Sequence, residues 1–460
     1  MMSKAGLAQA VEKMEQAGVS PAAISVFSHY YQVLEGEHTG FIPEETISPL
    51  TSVDRLEANQ VSPEQGQAAL AKTVMIKLNG GLGTSMGMDK AKSLLPVRAG
   101  LSFLDIICQQ VLAARKEYGV SLPLIFMNSF RTQADTLAAL QRHPGIEVAG
   151  LPLDFLQNQE PKLRADDLTP VSWEKDPSLE WCPPGHGDIY TALYGSGLLD
   201  KLIAAGYRYA MTSNSDNLGA TPDAQIAGWF AASGAPYAAE LCVRTINDRK
   251  GGHLAIRKLD GQLILRDTAQ TPPEQMDYFT DEHRHPFFHT NNLWFDLVKL
   301  RDALVENNAV LGLPLIANHK TVDPADPESP AVIQMETAMG AAIASFKGAT
   351  AILVPRSRFL PVKTTNELTL LRSDLYDLDA NYHLAKISDQ EVAVDLDSRF
   401  FKKISDFEAR FPHGVPSLRE ATAFKVTGPF TFAEDVKVKG QVNLETTQEQ
   451  LVAAGSCLAG

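Results

Sequence analysis

The stretch Leu78-Asn79-Gly80-Gly81-Leu82-Gly83-Thr84-Ser85-Met86-Gly87 carries four glycines between positions 80 and 87. Without Cβ atoms, successive backbone N–H groups can close on an anion that side chains would otherwise obstruct. The run directly follows Val74-Met75-Ile76-Lys77-Leu78, an apolar segment suited to a buried strand. A phosphate cradle at a strand end is one reading; a tight glycine turn without a ligand is the other. A dinucleotide fingerprint is excluded, because Gly81-x-Gly83 is followed by Gly87, one residue too late. A Walker loop is excluded too, since no Gly-Lys-Ser/Thr follows at the required spacing. Lys92, nine residues after Gly83, could bring an ammonium to the same phosphates; taken alone, it reads equally as a solvated surface lysine.

The elements that would position such a cradle are legible nearby. Ser102 and Asp105 predict a capped helix start, with Phe103, Ile106, Ile107 and Val111 at helical spacing and Gly119 at its end. Pro123-Leu124-Ile125-Phe126-Met127 then reads as the next buried strand. Strand, helix and strand over ~50 residues form a βαβ unit and imply a parallel sheet covered by helices. Short apolar runs recur at Tyr209-Ala210-Met211 and Ala351-Ile352-Leu353-Val354. Residues 1–30 read as helical and 36–66 as an irregular connection. Phe424–Gly428 and Val436–Val442 read as short strands with Gly turns, suiting a small β-coil. The expected layout is a helical segment and connection over 1–70, an α/β domain over 71–380 and a β-coil over 381–460.

The chain has 460 residues, enough for two or three domains, and 44% of them are hydrophobic. Lys plus Arg number 41 against 55 Asp plus Glu, a net charge of −14. That balance argues against wrapping a nucleic acid, which needs clustered positive charge, but allows small anions in one positive pocket. Cys108, Cys182, Cys242 and Cys457 contain no C-x-x-C pair, which fits reduced thiols and gives no zinc site. No uncharged apolar stretch approaches the ~20 residues of a membrane span, and no signal peptide is evident. A soluble, cytoplasmic protein without a membrane partner is expected.

Lys77–Gly87 resembles the signature loop of the eukaryotic-type UTP–glucose-1-phosphate uridylyltransferases, also called UDP-glucose pyrophosphorylases. The resemblance continues in order through Met127-Asn128-Ser129, Trp181–Asp188 (W-x-P-P-G-H-G-D), Asn214–Ala220, Thr290–Trp294, Val332–Gly340 and Val354–Thr365. Seven blocks in register over about 290 residues make it highly specific. Departures exist. The family usually has Gly-Pro-Lys-Ser where this chain has Lys90-Ala91-Lys92-Ser93, and His289 and His319 stand where Asn and Pro are more usual.

The resemblance implies a Rossmann-like nucleotidyltransferase domain with a mixed, mostly parallel sheet, plus a C-terminal coil of left-handed β-helix type. It implies reversible formation of UDP-glucose and pyrophosphate from UTP and glucose 1-phosphate. Leu78, Asn79, Gly80 and Gly81 would line the nucleotide, with Asn214 and Ser215, while Gln157 and Gly185 would meet the uracil. Lys92 and Lys363 would neutralise phosphate charge, and Asp216 would hold Mg²⁺. His186, Glu240, Gly252, Asn291 and Asn292 would face the sugar or its phosphate. Glu336 reads either as a site residue or as a helix-start carboxylate. The C-terminal coil can join subunits in this family, so a homo-oligomer is compatible. A sister enzyme using another sugar 1-phosphate is the nearest alternative, though N-acetylhexosamine relatives carry an Arg near the end of their glycine loop. A catalytically silent sugar-nucleotide binder is the alternative from another class, and Lys92, Asp216 and Lys363 together argue against it.

Overall fold

The computed structural model describes residues 3–36, 40–245, 248, 251–388 and 390–460. Eight strands form its central sheet: β1 (Asp54–Arg55), β2 (Thr73–Asn79), β3 (Leu124–Asn128), β4 (Asp154–Leu156), β5 (Tyr209–Asn214), β6 (Tyr237–Val243), β7 (Phe287–Asp296) and β8 (Thr350–Leu353). Their spatial order is β1-β8-β6-β7-β5-β2-β3-β4. Only β7 runs antiparallel to its neighbours; every other adjacent pair is parallel. The sheet is buried on both faces, which explains why its strands read as apolar runs rather than alternating ones. Within β2, Val74 and Ile76 pack on one side, and Met75 packs on the other.

The anticipated βαβ unit is β2, α3 (Phe103–Tyr118) and β3. Its helix starts at a reciprocal cap: the Asp105 N–H donates to Ser102 Oγ at 3.2 Å, and the Ser102 N–H to Asp105 Oδ2 at 2.9 Å. Gly119 ends it at φ 64°, a conformation that costs a glycine little. The expected helical N-terminus is α1 (Ser3–Gln16) and α2 (Pro21–Glu35), whose Ala10, Met14, Phe27 and Tyr31 join the apolar cluster on one face of the sheet. The stretch expected to be irregular is more ordered than its composition suggests. It contains the strand Ile47–Pro49 and runs into a helix, Pro63–Leu70, started by Ser62 capping and Pro63 in the first turn.

Two of the C-terminal strands, Ser417–Thr427 and Lys437–Glu445, are longer than the sequence pattern predicts. β9 (Ala393–Leu396), β10 (Ser417–Thr427), β11 (Lys437–Glu445) and β12 (Cys457–Ala459) pair in parallel, in that order, as successive rungs of a coil. No helix among the described residues is long and apolar enough to cross a membrane.

Candidate active site

In an open α/β sheet, ligands meet the carboxyl ends of the parallel strands. Here β2, β3, β4 and β5 end side by side, and the chain leaving each carries a candidate residue. Gly80 and Gly81 follow β2, Asn128 closes β3, Gln157 follows β4, and Ser215 and Asp216 follow β5. Side chains stitch the ends together. Ser215 donates to Leu78 O from its backbone (3.1 Å) and its hydroxyl (2.7 Å). Asn79 turns its amide nitrogen inward, donating to Asn128 Oδ1 and Thr136 Oγ1, both at 2.8 Å. Asn128 in turn donates to Asp154 at 3.0 Å.

Three charged groups from distant parts of the chain converge beside this edge. The Lys92 ammonium donates to Asp216 Oδ2 at 2.7 Å and to the Val362 carbonyl. The Val362 N–H donates to the Asp216 backbone carbonyl at 3.2 Å, so exposed Lys363 directly follows the residue joined to Asp216. Lys92 is brought back to the glycine loop by its own N–H, bonded to Gly81 O at 3.1 Å. Asp216 Oδ1 is buried and has no hydrogen-bond partner.

The glycines have specific neighbours. A Cβ on Gly80 would lie 2.8 Å from Gln157 Oε1, so the bare backbone lets that amide lie against the loop. Gly81 faces open space. Gly185 has φ 78°, and a Cβ there would lie 2.6 Å from Thr337 O. His186 Nδ1 accepts from the Met339 N–H at 2.9 Å. Burial by the surrounding loops, and then the charge of Lys363, hold its pKa below the usual histidine range.

On the opposite wall, Asn291 sits in the left-handed region at φ 61° and donates to Asn214 Oδ1 at 3.2 Å. Gly252 lies against Leu265, and its carbonyl accepts the His289 N–H at 3.0 Å. Glu240 and Asn292 are fully buried behind them. Glu240 accepts from Trp294 Nε1 (2.9 Å), from Asn292 Nδ2 (3.1 Å), and from Arg358 through Nε (2.7 Å) and Nη2 (2.9 Å). Their polar groups are thus taken up by protein. Glu336 closes the strand Ala331–Glu336 and starts no helix.

The profile of the UTP–glucose-1-phosphate uridylyltransferase family matches residues 24–439. The chain belongs to this family. The barley (Hordeum vulgare) UTP–glucose-1-phosphate uridylyltransferase is 38% identical over 451 residues, covering 95% of this chain and 92% of that protein. The Saccharomyces cerevisiae enzyme is 40% identical over 378 residues, covering 81% and 74%. A solved UDP-glucose pyrophosphorylase of Leishmania major, in complex with UDP-glucose, is 41% identical with a TM-score of 0.92, covering 99% and 98%. The chain is therefore a nucleotidyltransferase of the UDP-glucose pyrophosphorylase type.

Three charged residues at this candidate site have no role in the sequence reading. Lys77, fully buried, reaches toward β5 and the turn after it, donating to Ser213 Oγ (2.8 Å) and Ala220 O (3.0 Å). Burial first, and the nearby Arg358 charge second, bring its pKa down to about 7. Arg358 is the buried partner of Glu240. Asp188 is buried and accepts the Asn158 N–H from the loop after β4. The one available signal was chemical, since a buried carboxylate such as Glu240 demands a cation or several donors. Which residue supplies them, 118 positions away, no local pattern reveals.

Proposed function

We propose that uridylyl transfer between UTP and glucose 1-phosphate takes place at this strand-end cleft, with Lys92, Lys363 and Asp216 at the reacting phosphates. The convergence of Lys92, Asp216 and the Val362-Lys363 segment beside Gly80-Gly81 carries the reading. A sugar phosphate with a second pKa near 6 is already largely a dianion at neutral pH, so the nucleophile needs no general base. One of its oxygens attacks the α-phosphorus of UTP in line, a new P–O bond forms, and pyrophosphate leaves. The barrier is mutual repulsion, and fixed cations and N–H donors lower it without rearranging during the step. Lys92 and Lys363 supply the ammonium groups. The backbone of Leu78–Gly81 provides the cradle, with Asn214 and Ser215 bracing it.

Asp216 fits a magnesium ligand. Mg²⁺ favours one or two carboxylates together with phosphate oxygens and water, and the unpartnered Oδ1 offers one such oxygen. When bound, the ion would add positive charge at the phosphates. No cluster of three His, Cys, Asp or Glu side chains occurs among the described residues; phosphate oxygens and water would complete the shell. Gln157 and Gly185 meet the uracil, and His186, Asn291 and Gly252 meet the sugar or its phosphate, with Glu240 and Asn292 set behind them. A cytoplasmic location suits the substrates, and the domain layout above remains our reading of the chain.

Pyrophosphate release from UTP with a panel of sugar 1-phosphates, with and without a chelator, tests this. Release with glucose 1-phosphate that stops on chelation is expected. Equal or greater turnover with galactose 1-phosphate or an N-acetylhexosamine 1-phosphate would favour the sister activity.

A further inference from the structure

We propose that Asp188 is a positioning residue for base recognition, holding Gln157 in place through Asn158 and locking together the two loops that frame the uracil. The inference rests on the reading of Gln157 as the base contact. Asp188 occupies the start of the helix Ile189–Gly195, where an aspartate ordinarily caps its own helix. It does not do so here, as no cap hydrogen bond is made. Its carboxylate reaches instead to the other loop, accepting the Asn158 backbone N–H on Oδ2 at 2.6 Å and the Asn158 side-chain amide on Oδ1 at 2.8 Å. The preceding residue, Gln157, donates its own N–H to Asn128 O at 2.8 Å. Gln157 is therefore pinned on one side to the end of β3 and on the other, through its neighbour, to Asp188.

The Asp188 loop is itself anchored. Gly187 N–H donates to Thr337 O at 2.8 Å, and Thr337 N–H to Pro184 O at 3.0 Å. A displacement of Asn158 would thus move Gln157 relative to Gly185, which lies three residues before Asp188. No lysine or arginine pairs with Asp188 among the described residues. The titratable groups around the small cavity behind it are Glu160 after β4, Glu336 at the end of its strand, Tyr30 of α2, and Tyr190 of the helix Ile189–Gly195. His186 precedes it by two residues. Burial raises the Asp188 carboxyl to about 7 despite the two bonds from Asn158. Protonation near neutrality would replace one acceptor with a hydroxyl facing Asn158's donors and loosen the clamp.

The test is equilibrium binding of UDP-glucose by calorimetry between pH 6 and pH 8.5. UDP-glucose has no phosphate that titrates in this range, so the profile reports the protein. For the wild type, the dissociation constant should rise about three- to tenfold from pH 8 to pH 6, within the limit of one linked proton. Asp188→Asn turns an amide N–H₂ or a single oxygen toward two donors. It should bind about tenfold more weakly at pH 8, the usual scale for a lost charged hydrogen bond, and lose most of the pH dependence. Wild-type affinity and profile in D188N overturn the proposal. Gln157→Ala separates the two ideas: unchanged binding in Q157A removes the base-contact reading itself, whereas weak Q157A with a wild-type-like D188N removes only Asp188. If D188N does not fold, Asn158→Ala removes half the clamp. It should bind severalfold more weakly with the pH slope kept, and unchanged affinity overturns the proposal.

Discussion

At the scale of single residues, the site is an arrangement of charges that compete until substrate arrives. Lys92 is held by Asp216 and a carbonyl, so its ammonium is already aimed at the strand end and pays little entropy when phosphate binds. Lys92→Ala or Lys363→Ala should each lower turnover at least ~10²-fold, the usual loss for one charge-stabilising donor. Wild-type turnover in either purified, folded variant would remove that lysine from the mechanism. His289 makes a second prediction, about stability. It is buried and Nδ1 accepts from the Asn291 N–H at 3.3 Å, while Nε2 has no partner. Burial, then the nearby His186, lower its pKa to about 4. Above pH ~6.5 both folded and unfolded chains carry it neutral, so its contribution is complete. Between there and about pH 4 the unfolded chain takes up a proton that the folded one refuses, and stability falls as the pH drops. In urea titrations at pH 7.5 and 4.5, His289→Asn should lose about 2 kcal/mol less than wild type over that interval. Identical losses would contradict the assignment.

At the scale of elements, strands set the positions and buried ion pairs hold the loops. The glycine loop after β2, the βαβ unit and its capping pair were readable because each is local. Glycine spacing, a Ser-x-x-Asp cap and apolar runs all fall within a few dozen residues. What stayed hidden depends on partners far along the chain. Lys77 is satisfied by Ser213 and Ala220, and Glu240 by Arg358, so type and spacing alone read each as an ordinary charge. The family resemblance implied a mixed sheet, but not that β7 is its antiparallel member, since a strand's direction is set by which neighbours it meets. Arg358 also contributes its backbone carbonyl to Asn217 (3.1 Å) and Asn292 (3.2 Å), linking the Phe359–Lys363 block to the turn after β5. Arg358→Met should leave Glu240 buried without its cation and cost about 3–5 kcal/mol, as broken buried pairs do. Replacing both partners, as Glu240→Gln with Arg358→Met, should restore part of that loss because no charge is stranded. Chemical denaturation of the single and double variants checks this, and a purely additive double variant would show that the two side chains act independently.

At the scale of the whole molecule, one apolar cluster continues from a face of the central sheet into the C-terminal coil. It includes Met75, Phe126 and Met211 of the sheet, Phe401, Phe407 and Phe411 of the connecting helices, and Phe424, Phe432, Val438 and Val452 of the coil. Aromatic rings mark the crossing. Phe411 stacks on Phe432 with centroids 5.0 Å apart, and Phe424 meets Phe432 edge-on at 5.7 Å. Close packing extends it to the glycine loop, where Gly87, at φ 71°, leaves room for the methylene stem of Lys403 from the coil side. A continuous core makes the coil and the nucleotidyltransferase sheet unfold together, because neither can open without exposing the other's apolar face. Calorimetry should accordingly show one transition for the full chain. Phe432→Ala removes a ring with no exposed surface, and such truncations cost about 3–5 kcal/mol. The variant should keep a single peak displaced to lower temperature, carrying loss of activity with it. A split trace, with an early melt that leaves uridylyl transfer intact, would mean instead that the coil is a separate cooperative unit and that its packing has no bearing on the cleft.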